Sequence, residues 1–138
     1  QRQMCIRDRI GSILLCEFSG IEPEMTKKRP VIILSSVSPR LCLVAPLSTT
    51  DPEEQQPWHC LINTPKTLPA PYDSKVHWLK GDMISAVGFQ RLFMPSKGKD
   101  KFGNRLYVKL RLSEPEMREV RRCVAAAIGI TSIDFEKI

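Results

Sequence analysis

Residues 27–36, KKRPVIILSS, decide the fold. Three cations stand directly before a proline and a run of four aliphatic residues. An apolar run of this kind, rich in β-branched residues and without alternation, reads as a strand buried on both faces. Pro30 has no amide proton to donate, so it belongs among a strand's first residues or on an edge. Residues 41–50, LCLVAPLSTT, have a related shape. There a buried run passes through Pro46 and ends in three hydroxyl residues, Ser48, Thr49 and Thr50. The two strand ends are expected to face one cleft.

Outward from this pair, residues 10–18, IGSILLCEF, read as an earlier strand, and residues 58–63, WHCLIN, as a later one. Residues 64–75 hold three prolines without periodicity and read as a long surface loop. In residues 76–87, VHWLKGDMISAV, Gly81 interrupts a β-rich segment, which predicts a bulge or bend. Residues 95–104 read as a basic loop. Residues 105–112, RLYVKLRL, alternate as a half-exposed strand should. The last element is helical. Ser113 stands at the N-cap with Pro115 and the acidic Glu114 and Glu116 in the first turn, and Gly129 is a natural stop. Met117, Val120, Val124, Ala127 and Ile128 recur at helical spacing as its apolar face. Six or seven short strands and one late helix, without strand–helix alternation, argue against a parallel nucleotide-binding sheet. A compact, strongly curved antiparallel barrel is the expected architecture.

A chain of 138 residues with 42% hydrophobic and 26% charged residues fits a single globular domain. No apolar run approaches the roughly 20 residues needed to span a bilayer. No leader is recognisable, so a cytoplasmic location is expected. The five cysteines are scattered and include no C-x-x-C pair, which points to reduced, buried thiols. The net charge is +6; residues 1–9, QRQMCIRDR, contribute +2 and leave +4 for the remainder. Residues 1–9 lack periodicity and read as a flexible or non-native flank, with residues 10–138 expected as one domain. A modestly basic domain is compatible with a polyanionic partner.

Several side chains are placed where they could do chemistry. Arg29 offers an always-charged planar fork suited to phosphate, or is simply a solvated cation at a strand edge. Ser48, Thr49 and Thr50 could hold phosphate oxygens, or could cap the turn into Asp51. Asp82, two residues after Lys80 beside an apolar segment, is either half of an acid–base pair or a structural ion pair. His59 and His77 are isolated and read as packing or surface residues. No second ligand stands at metal-binding spacing, so neither a metal nor another cofactor is expected.

Taken together, GSILLCEF, KKRPVIILSS, LVAPLSTT and KGDMISAVGFQRL resemble the PemK/MazF family of toxins from bacterial toxin–antitoxin pairs. The order and spacing of the R-P-x-x-x-L and V-x-P-x-[ST]-T strands carry the resemblance, which runs from residue 10 to the terminal helix. It implies an SH3-like antiparallel β-barrel with a C-terminal α-helix, usually a homodimer. It also implies metal-independent endoribonuclease activity on single-stranded RNA, restrained by an antitoxin protein. Residue by residue, it makes Arg29, Ser48, Lys80 and Asp82 catalytic, with Lys27, Lys28, Thr49 and Thr50 binding RNA. The family commonly has threonine where Ser48 stands and, in one branch, arginine where Lys80 stands; lysine lacks the bidentate fork. Two other classes of function stay open: a barrel that binds RNA or protein without cutting, and a toxin relative acting on a target other than RNA.

Overall fold

The computed structural model describes residues 10–64 and 66–130. The flank assigned to residues 1–9 lies outside the described residues. The chain forms β1 (Ile13–Ser19), β2 (Thr26–Ser38), β3 (Leu41–Ser48), β4 (His59–Asn63), β5 (Val76–Lys80), β6 (Ser85–Gly88), β7 (Leu92–Phe93), β8 (Ser96–Lys99), β9 (Arg105–Tyr107) and the helix α1 (Glu114–Ala127). The main sheet runs β4-β5-β3-β2-β1-β7, with β6 also on β3, and every pairing within it is antiparallel.

Two features curl this sheet. The β2–β3 register slips between Ile33 and Ser35 and again between Ser36 and Ser38, and such bulges bend a strand and increase its twist. β3 also changes partner along its length. Leu41–Val44 pair with β6, whereas Leu47 and Ser48 pair with Leu79 and Trp78 of β5. The product is a curled half-barrel with one C-terminal helix, the mostly-β SH3-like architecture expected from the sequence.

The unalternating runs are buried on both faces because neighbouring residues feed two separate cores. Ile13, Ile32, Ala45, Leu47 and Leu79 join Val120 and Cys123 of α1 in one core. Leu14, Val31, Ile33 and Val44 join Val87 and Leu92 in the other. Between β5 and β6 the chain turns at Gly81, which is pressed against the Trp58 carbonyl and the Cys123 backbone. Cys60 on β4 and the buried Cys123 of α1 pack into the same core across this strand–helix contact. The four cysteines among the described residues are thiols, not half-cystines.

The alternation expected over residues 105–112 holds only from Val108 on, with Val108, Leu110 and Leu112 buried but Leu106 47% exposed, and only Arg105–Tyr107 pair as a strand, with β8. The rest runs as an extended strap, held by Ile13 N–H donating to Leu110 O and Leu112 N–H donating to Gly11 O. The basic loop before it supplies β8, so that segment is half of a hairpin.

α1 begins with a full capping box, in which the Ser113 hydroxyl accepts from the Glu116 amide and the Glu116 carboxylate accepts from the Ser113 amide. Its buried residues are Met117, Val120, Cys123 and Ala125. Ile128, expected on the apolar face, is 66% exposed. It is the C-cap, where the backbone leaves helical geometry and its side chain leaves the helix face.

Candidate functional site

The β2–β3 ladder stops at the pair Val31↔Pro46. Pro30 and Pro46, on either side of the stop, both lack an amide proton. Beyond them the strand ends part, and a cleft of about 340 Å³ opens between residues 27–30 and residues 47–50. Pro71 and Tyr72 wall it, and His77 contributes to its lining. The Tyr72 hydroxyl donates to the Lys28 carbonyl at 2.7 Å, which ties the patternless 64–75 loop onto β2.

Arg29 is half-buried here. Continuing the β2–β3 register two residues past its last pair puts Arg29 across from Ser48. Its Nε donates to the Thr26 carbonyl at 3.0 Å, which fixes the guanidinium plane and leaves the Nη donors for a ligand. Across β1 its partner is Cys16. Burial pushes that thiol up to about 11, so it stays neutral and offers the guanidinium no counter-charge.

The Ser48 hydroxyl accepts from the Thr50 amide at 3.1 Å, and Trp78 Nε1 donates to Asp51 Oδ1 at 2.7 Å. The turn-capping and ligand-binding readings of Ser48 are compatible: its oxygen holds the turn while its own proton remains to be donated. Lys27 lines the mouth at φ +68°, a left-handed conformation that costs a non-glycine residue roughly 1–2 kcal/mol. The Lys28 ammonium sits 5.0 Å over the Phe93 ring.

The cleft thus brings together Arg29, Ser48, Thr49, Thr50, Lys27 and Lys28. Lys80 and Asp82 are not among its lining residues. Lys80 pairs with His59 on β4, two residues beyond Trp78, so it shares a sheet face with Ser48 about 7 Å further along the strand. Asp82 is exposed in the turn after β5, a turn closed by Met83 N–H donating to Lys80 O. The structural ion pair, one of the two readings of Asp82, does not occur among the described salt bridges.

Sequence reasoning missed His77 and Tyr72. His77 is fully buried, and neither ring nitrogen has a hydrogen-bond partner. Burial lowers its pKa, and a backbone group of Ser74 pulls weakly the other way without reaching hydrogen-bond geometry. The imidazole is therefore neutral at pH 7, one nitrogen a donor and the other an acceptor. Its signal in the sequence was a polar residue at the inward position of VHWLK, beside inward Leu79. Tyr72 had none, because only the folded loop brings it to Lys28. Among the described residues, no three His, Cys, Asp or Glu side chains converge to hold a metal ion. No helix among them is long and apolar enough to cross a membrane.

Comparison with known proteins gives concordant matches. The sequence model of a family described as the PemK-like, MazF-like toxin of type II toxin–antitoxin systems matches residues 9–128. A Haemophilus influenzae protein, itself uncharacterized, is 31% identical over 101 residues, covering 63% of this chain and 70% of its own. A mycobacterial endoribonuclease solved with its cognate antitoxin superposes with a TM-score of 0.53 at 17% identity, over 88% of this chain and 94% of the other. Toxin MazF-mt6 of Mycobacterium tuberculosis gives 0.54 at 14%, over 84% and 94%. The MazE–MazF structure from Deinococcus radiodurans gives 0.52 at 17%, over 93% and 100%.

Proposed function

The chain belongs to the PemK-like, MazF-like toxin family of type II toxin–antitoxin systems, and from that premise we propose that it is an endoribonuclease cutting single-stranded RNA. The observation that carries this reading is the meeting of Arg29 and Ser48 in one cationic cleft, delivered by two different strand ends.

In this reading the cleft holds a phosphodiester. The Arg29 Nη donors and the Ser48 hydroxyl take its non-bridging oxygens, and Lys27, Lys28, Thr49 and Thr50 hold the flanking backbone. The ribose 2′-oxygen attacks the adjacent phosphorus as its proton passes to Asp82. The bond from phosphorus to the 5′-oxygen breaks as Lys80 gives that oxygen a proton, while Arg29, always charged, assists by stabilising the developing charge. The products are a 2′,3′-cyclic phosphate and a 5′-hydroxyl, and no step calls on a metal. Arg29 meets the charge that grows on the phosphate oxygens, the kind of contribution whose loss costs about 10²–10³ in rate. Asp82 stands in the turn after β5, outside the lining of the cleft, so its role as base requires that turn to close on the linkage held by Arg29 and Ser48. The protein acts in the cytoplasm as a homodimer, and a cognate antitoxin restrains it by covering the cleft.

The test is incubation of a long single-stranded RNA with the protein in EDTA, with mapping of the ends. Discrete cuts are expected, weakened about 10²–10³-fold by Arg29→Ala at unchanged stability; intact RNA at high protein concentration refutes the reading. A second reading, retention of RNA without cutting, draws on the position of Asp82 outside the cleft. It predicts a stable complex without cuts that is indifferent to Asp82→Asn.

A further inference from the structure

We propose that Trp78 is a stacking platform for a nucleobase next to the phosphate cleft, an inference that rests on the RNA reading above and names how the strand is gripped. Trp78 and Ser48 are direct cross-strand partners, so their side chains share a sheet face, with Cβ atoms roughly 5 Å apart. Neighbouring positions across a strand pair are separated by about the width of one ribose, so a base reaches Trp78 when its phosphate lies at Ser48.

The indole belongs to neither hydrophobic core, whose β5 member is Leu79 on the opposite face. It is only half-buried, yet it is held rigidly. Its Nε1 donates to Asp51 Oδ1 at 2.7 Å, which also occupies the one carboxylate in the 48–51 turn. Its ring contact is with His59, centroids 6.4 Å apart and planes at 78°, an edge arrangement that does not stack a second ring on it. Leu61, its partner on β4, is 50% exposed and extends the apolar surface. A flat aromatic surface beside the cations of the cleft suits the π-face of an unpaired base next to a phosphate.

The experiment uses a twelve-nucleotide single-stranded RNA with every 2′-oxygen methylated, so that binding is read without cleavage. Trp58→Phe leaves Trp78 as the single indole of the chain's two tryptophans. Trp78 fluorescence is expected to be quenched by this oligonucleotide and not by an abasic chain of equal length and charge. Trp78→Ala is expected to weaken binding about tenfold without changing its salt dependence, and Trp78→Phe to restore most of the loss. Equal quenching by the abasic chain, wild-type affinity in a folded Trp78→Ala, or no binding at all would overturn the proposal. A parallel digest of unmethylated RNA separates the two claims. Cuts that are indifferent to Trp78 sink the platform alone, and Trp78-dependent binding without cuts sinks the nuclease alone.

Discussion

Replacing Gly81 by alanine probes the contact that seats the β5–β6 turn on the helix. A β-carbon there would lie 2.8 Å from the Trp58 carbonyl oxygen, 3.0 Å from the Cys123 carbonyl carbon and 3.1 Å from the Cys123 β-carbon. Each is about 0.5 Å or more inside ordinary contact distance. Two of the three are backbone atoms, so no rotamer change relieves them. The Trp58 oxygen also accepts the Gly81 amide at 2.9 Å, so moving it away weakens that hydrogen bond. Overpacking costs about 1–3 kcal/mol and the weakened bond about 1. A loss of about 3 kcal/mol is expected, a fall of about 10 °C in Tm at this chain length. Urea and thermal denaturation followed by circular dichroism measure it. Gly88→Ala is the control, since its close contact is the far end of the Gln90 side chain at 2.7 Å, which can swing away. That variant should stay within about 0.5 kcal/mol of wild type. If Gly81→Ala loses less than about 1 kcal/mol, helix and turn are not packed as described, and the position derived for Asp82 falls with them.

Three further outcomes are expected. His77 is held neutral in the folded protein, so above the ordinary histidine pKa of about 6.5 it adds no pH dependence. As pH falls below that value the unfolded chain takes up a proton that the native state refuses, and stability declines by up to about 1.4 kcal/mol per pH unit. Tm of wild type should therefore fall between pH 7 and pH 5 more steeply than that of His77→Leu; parallel curves refute this. Lys27→Gly relieves the left-handed backbone at φ +68° and should raise stability by about 0.5 kcal/mol in urea, while weakening RNA retention through the lost charge. Ser113→Ala removes half of the capping box and should cost about 1 kcal/mol, read as a lowered urea midpoint.

What the sequence disclosed followed from local chemistry. Pro30 and the aliphatic run after it announce a strand entry with a cation at its end. Ser113, Pro115, Glu116 and Gly129 bracket the helix within a residue or two, because caps act on their own backbone. What it concealed depended on distant chain. Tyr72 enters the site through a hydrogen bond to a residue 44 positions away. Over residues 108–112 the extended backbone meets Pro95 and residues 11–13 at scattered points, with one isolated bridge between Ser12 and Arg111 rather than a ladder. Periodicity reports which side of a segment is buried and is silent about whether a strand pairs beside it. Lys80 and Asp82 were legible as a doublet, but not their distance from Arg29, which the registers of β3 and β5 decide.

The two imino acids at the end of the β2–β3 ladder prop the mouth open by covalent means. Neither ring nitrogen carries a hydrogen, so extending the ladder past Val31 and Pro46 would gain fewer backbone hydrogen bonds than an ordinary strand pair. A visiting polymer therefore spends none of its binding energy on prising a sheet apart.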